Sequence, residues 1–118
     1  MVKHTKIGSK GEEIAAGFLV NKGYKILHRN WRSGKKELDI IATNGDLLVI
    51  AEIKTRSNFD FGFPEEAVNK KKQKFIKSAA EAFIEANRQY MNIRFDIISI
   101  LMDGEHVKEI MHFEEAFY

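Results

Sequence analysis

With 118 residues, 44% hydrophobic side chains and one proline, the chain can bury a single core and is too short for two ordinary domains, so residues 1–118 read as one domain. Zero cysteines exclude disulfides and thiolate zinc sites, and His4, His28, His106 and His112 lack metal-ligand spacing. A formal net charge of +2 and a pI near 8.8 permit nucleic-acid binding without requiring it.

A first helix is expected from about Thr5 or Ser9 to Lys22. Ile7, Ile14, Ala15, Phe18 and Leu19 form its apolar stripe, and Gly23 ends it. Gly8 and Gly11 fall near that stripe, where the lack of a side chain lets a helix approach a sheet closely. Glu12 stands at the edge of the stripe, free to lean toward the sheet. Ser9-Lys10-Gly11-Glu12 fits a capping box equally well, and there Glu12 would only satisfy a backbone donor. A strand comes next, near Tyr24 to Trp31, with Trp31 read as an anchor of the core or an edge.

Leu38 to Ala42 is a second short strand, and Leu47 to Lys54 reads as a largely apolar third one whose side chains alternate between faces. Asn44-Gly45 between them is a dipeptide favoured in two-residue hairpin loops. Taking those two as the loop pairs Thr43 with Asp46, Asp39 with Ile50 and Glu37 with Glu52. Asp39, Glu52 and Lys54 then share a face, with Asp39 and Glu52 as diagonal neighbours about 7–8 Å apart. A loop one residue longer would turn Asp39 to the other face.

These residue types together suit a phosphodiester. Magnesium is a hard ion that takes oxygen ligands and usually only one or two protein carboxylates. Asp39 and Glu52 suffice as anchors, and the carbonyl of Ile53 can add an oxygen. A metal so held polarises phosphate and acidifies a bound water, and the Lys54 ammonium stabilises charge that grows in the transition state. Glu-x-Lys by itself is often just a solvated strand face. Within a strand as apolar as Leu47 to Ile53, however, ionised groups are costly unless paired or metal-bound.

Thr55 to Pro64 reads as a loop carrying Phe59, Phe61 and Phe63, which suit either base stacking or packing beneath the loop. Arg56 is its better phosphate contact. A long helix begins after Asn69 as N-cap, with Val68, Lys72, Phe75, Ile76, Ala79 and Phe83 along one side. Lys70, Lys71 and Lys72 crowd its first turn, where the helix dipole disfavours cations. A phosphate there would compensate. Asn92 to Leu101 forms a buried strand containing Asp96, whose role is read as structural hydrogen bonding. Asp103-Gly104 then turns into a last strand near His106 to Phe113. No stretch approaches the roughly 20 apolar residues of a membrane span, and no apolar leader follows Met1. A cytoplasmic protein without membrane contact is expected.

The chain resembles the YraN-like family of small bacterial proteins, placed by similarity in the PD-(D/E)xK restriction-endonuclease-like superfamily and related in plan to Holliday-junction resolvases. The resemblance runs through Gly11-Glu12-Glu13-Ile14-Ala15, Asn30-Trp31-Arg32, Glu37-Leu38-Asp39-Ile40-Ile41-Ala42 and Glu52-Ile53-Lys54-Thr55-Arg56, and continues to Arg94-Phe95-Asp96. Leu38 stands where the superfamily name has proline, and Lys36 where the YraN-like pattern often has glycine. The resemblance implies Glu12, Asp39 and Glu52 as metal-site residues and Lys54 as the catalytic lysine.

The expected architecture is α/β, a restriction-endonuclease-like mixed β-sheet flanked by helices in the order αβββαββ, with the site near the bend of the central hairpin. The expected function is a Mg²⁺-dependent (or Mn²⁺-dependent) endonuclease on DNA, selective for branched structures in repair or recombination. Arg56, Lys70, Lys71 and Lys72 are the expected nucleic-acid contacts, and two cuts in one junction point to a homodimer. The alternative is a non-catalytic module of the same fold that binds nucleic acid or a partner.

Overall fold

Three tight hairpins and one helical crossover build the sheet. The computed structural model describes residues 6–57 and 68–118, with side chains from Lys10 onward. Helix α1 (Lys6–Asn21) precedes β1 (Lys25–Ser33), β2 (Lys36–Asn44) and β3 (Leu47–Arg56); helix α2 (Lys70–Ala86) then leads to β4 (Asn92–Asp103) and β5 (His106–Phe117). The expected αβββαββ order is what is found. Phe59, Phe61 and Phe63 lie outside the described residues.

The hairpins share one design. Ser33 pairs with Lys36, Asn44 with Leu47 and Asp103 with His106, so the loops are Gly34-Lys35, Gly45-Asp46 and Gly104-Glu105. Each glycine takes the first loop position, with φ of 62°, 62° and 63°, a backbone that strains an L side chain. The central loop is therefore not Asn44-Gly45. Gly45 claims the first loop position and moves the loop by one residue, so Ile40 faces Ala51 and Ile41 faces Ile50. Continued outward, this pairing brings Asp39 level with Glu52 instead of Ile50. Partners change by two, an even number, so the shift by itself moves no side chain to the other face.

Strand β3 is central in the order β1-β2-β3-β4-β5. It runs parallel to β4, a connection that needs a crossover of a dozen or more residues, and α2 supplies it. Ile76, Ala79, Ala80 and Phe83 of α2 pack against Leu48, Ile50 and Ile97 on one face. Ala15 and Leu19 of α1 pack against Ile40, Val49, Ala51 and Ile98 on the other. The apolar run of β3 thus reflects burial on both sides. Among the described residues, no helix is long and apolar enough to cross a membrane.

The helices also set where polar side chains meet the sheet. Helix α1 has already begun at Lys6, so Ser9 lies inside it and the capping box is not formed. Gly11 rests on the end of β3, where an added Cβ would overlap the Thr55 hydroxyl. The close approach expected of Gly11 is thereby realised, and it seats the neighbouring Glu12 against the sheet. Helix α2 is capped as expected: the Asn69 side chain accepts from Lys72 N at 2.9 Å.

Candidate functional site

The site forms where strands β2 and β3 part company. Their ladder ends at Ile40–Ala51, and one step further Asp39 Oδ2 accepts from Ile53 N at 2.9 Å. A side chain has taken the place of a strand carbonyl. The fork opens at the end of the hairpin away from the Gly45-Asp46 turn, which corrects the expectation of a site near the bend. The alternation of β2 also slips here: Leu38 and Ile41 both pack on the α2 side, whereas Ile40 packs on the α1 side. Strand β1 makes the matching adjustment. His28 and Trp31, three residues apart, both lie edge-on to Phe83, and Asn30 between them has φ 53°. Because Arg29 pairs with Ile40 and Trp31 with Leu38, Asn30 lies level with Asp39.

Three carboxyl groups approach this fork. Glu52 is 5% exposed and meets Lys72 Nζ at 3.5 Å. Burial and the neighbouring Asp39 push its pKa up to about 8, against the pull of Lys72 and Lys54. Asp39 is also raised. Burial is the main cause, the Ile53 N–H opposes it, and the Glu12 charge adds to it. Glu12 is 8% exposed and accepts from Asn30 Nδ2 at 3.0 Å, a sheet contact in place of the capping role. Lys54 shares the α2 face of β3 with Glu52, two residues along. Asp39, Glu52, Lys54 and Glu12 therefore gather at one end of the sheet.

The donors suit a hard cation without enclosing it. Among the described residues no three His, Cys, Asp or Glu side chains form a ready metal-binding group. Asp39 and Glu52 leave the remaining positions to waters and phosphate oxygens, the usual arrangement for magnesium. Ile53 joins the site through its N–H, beside the carbonyl proposed as a ligand. Of the basic residues, Lys70 and Lys71 are exposed at the start of α2, and Arg56 is half-buried at the end of β3. Lys72 instead turns inward to Glu52 and lies 5.3 Å from the Phe75 ring centroid. Asp96 is elsewhere. It lies across from Ala51 on the α1 face, fully buried, bonded to Arg94, His112 and Glu115 N, which is the structural role expected of it.

Sequence reasoning placed Lys72 on the sheet-facing side of the helix but missed its pairing with Glu52, and it missed Asn30. The signal for Asn30 was slight: asparagine tolerates positive φ better than most residues, and here it does so inside a strand that continues past it.

Residues 11–100 match the model of the family described as "Uncharacterised protein family UPF0102". A UPF0102 protein of Phocaeicola vulgatus is 46% identical, over 100% of this chain and 97% of that protein. One of Flavobacterium psychrophilum is 42% identical over 100% and 98%. Pyrococcus furiosus SfsA, solved in complex with Ca²⁺, superposes with a TM-score of 0.31 at 16% identity, over 91% of this chain and 62% of that one. That likeness is too loose to bear on fold or function.

Proposed function

The chain belongs to the UPF0102 family, and we propose that it is a divalent-metal-dependent endonuclease that hydrolyses DNA phosphodiester bonds. One observation carries the reading: Asp39 and Glu52 sit together at a strand fork, buried enough that Glu52 holds its proton up to about pH 8. Two neighbouring buried carboxyls, both raised from their usual range, favour a cation heavily. The spacing Asp39…Glu52-Ile53-Lys54 is that of the PD-(D/E)xK superfamily, so we assign the restriction-endonuclease-like fold as part of the same proposal.

Each residue then has a task. Asp39 and Glu52 hold Mg²⁺ or Mn²⁺, with the Ile53 carbonyl as a further oxygen and Glu12 close enough to act on its hydration. When bound, the ion polarises the scissile phosphate and acidifies the attacking water. The Lys54 ammonium stabilises charge developing on the phosphate, and Lys72 partners Glu52 while no metal is there. Arg56, Lys70 and Lys71 contact flanking phosphates. These contacts fix position without reading bases, which favours branched or distorted DNA over a defined sequence. A junction presents two bonds to cut, so the working unit we propose is a cytoplasmic homodimer acting in repair or recombination.

The Lys72–Glu52 pair at 3.5 Å favours a second reading, in which the lysine is a permanent counter-ion and the domain only binds nucleic acid or a partner. Incubation with Mg²⁺ or Mn²⁺ and labelled single-stranded, duplex, flap and four-way DNA separates the two. Cleavage lost in folded Asp39→Asn, Glu52→Gln and Lys54→Ala supports the enzyme. Binding without cleavage under every metal condition supports the module, and equal cleavage by all four proteins reveals a contaminant.

A further inference from the structure

We propose that Asn30 is a positioning residue of this metal site: Nδ2 fixes Glu12, and the free Oδ1 accepts a hydrogen bond from a water on the bound cation. The proposal rests on the metal-site reading above. Four observations converge on it. Asn30, Asp39 and Glu52 stand level on three neighbouring strands, one row beyond the last β2–β3 pair. The Asn30 backbone sits at φ 53°, a conformation that glycine and asparagine adopt most readily, and it turns the side chain out of the strand's regular alternation.

The third observation is how the amide is spent. Nδ2 donates to Glu12 Oε1 at 3.0 Å and thereby ties α1 to the sheet, whereas Oδ1 is buried without a partner. Buried polar atoms are nearly always satisfied by protein or ordered water. Fourth, the other buried side-chain atom without a partner among the described residues is Ser99 Oγ, and Ser99 lies beside Lys54 across the parallel ladder. The two unsatisfied atoms thus flank the site from opposite sides. A hydrated cation brings what they lack, because magnesium keeps several waters whose hydrogens point outward. Outer partners of this kind orient ligands and tune affinity by roughly 10–100-fold in known metal sites.

The test measures Mn²⁺ affinity by calorimetry or electron paramagnetic resonance on the full chain, beside its melting temperature in EDTA. Asn30→Gly relieves the backbone and removes both side-chain contacts. The expected result is a small loss of melting temperature at most, because relief of the backbone offsets part of the lost Glu12 hydrogen bond, with Mn²⁺ binding to the folded variant weakened about tenfold, and a smaller effect of added Glu12→Gln than in the wild-type background. Wild-type affinity in Asn30→Gly, with binding lost in Asp39→Asn, would overturn the role of Asn30 and leave the metal site standing. Affinity that falls only in step with melting temperature would assign Asn30 to the fold alone and equally overturn the proposal. Wild-type protein that binds no Mn²⁺, or Asp39→Asn that binds it normally, would remove the metal site and this inference with it.

Discussion

Replacing Glu52 with glutamine should make the protein more stable above neutral pH, the reverse of what losing a buried ion pair usually does. Its carboxyl is raised from 4.5 to about 8 in the fold. Below pH 4.5 it is protonated in both states and costs nothing. As pH rises from 4.5 to 8, the unfolded chain ionises first, and stability falls at 1.36 kcal/mol per pH unit, about 5 kcal/mol over the window. Glutamine keeps the shape and never ionises. The raised value already includes the pull of Lys72 and Lys54, and the gain is discounted only for the water and side-chain rearrangement that relieve a buried charge. The net gain at pH 8.5 is expected at about 2–3 kcal/mol, or roughly 10 °C in melting temperature for a chain of this size, shrinking to near zero at pH 5. Urea denaturation of both proteins in metal-free buffer from pH 5 to 9 measures it. A variant less stable than wild type at pH 8.5, or a difference that does not grow with pH, would refute the electrostatic account of the fork. In the same assay, Mn²⁺ should raise wild-type stability at pH 8.5 and have little effect on Glu52→Gln, because binding to the native state alone is stabilising.

Other substitutions probe separate links. Lys54→Ala should lower cleavage by about 10²-fold or more while stability changes by under roughly 0.5 kcal/mol; equal losses of both would make Lys54 structural. Gly11→Ala should cost about 1–2 kcal/mol through overlap with the Thr55 hydroxyl, despite alanine's better helix propensity. In a Thr55→Ala background the same change should become neutral or stabilising, and purely additive effects by urea denaturation would contradict the contact. Asp96→Asn should cost about 3–5 kcal/mol by stranding Arg94 in a part-buried network. Burial pushes the Asp96 carboxyl up, but hydrogen bonds from His112 and Arg94 outweigh it and hold the group below its usual range. Its contribution is therefore present above pH 3.8 and lost as pH falls through the lower folded value, so acid unfolding of wild type should carry a component missing from Asp96→Asn.

Much of the architecture was legible because it rests on periodicity. The two-sided burial of β3 follows from its unbroken apolar run, and the start of α2 follows from Asn69. The meeting of Asp39 with Glu52, and the face that Glu52 shares with Lys54, were legible too, even though the turn was misplaced by one residue. Moving a two-residue loop by one changes the pairing sum by two, which leaves every side chain on its own face. The interruption of the ladder could not be read. The fork depends on Asp39 bonding a main-chain amide on another strand, and on Asn30 adopting positive φ on a third. Neither choice is encoded in a local window. Glu12 shows the same limit: its sequence neighbours fit a cap, and only the arrival of β1 eighteen residues later gives it Asn30 as a partner. The irregular positions gather where the strands part and where the buried charge is concentrated. A sheet optimised for stability alone would have continued the β2–β3 pairing through Asp39 and Glu52 with apolar residues. The chain instead keeps two raised carboxyls and two unsatisfied polar atoms at that place, a cost that a bound cation with its water shell would offset.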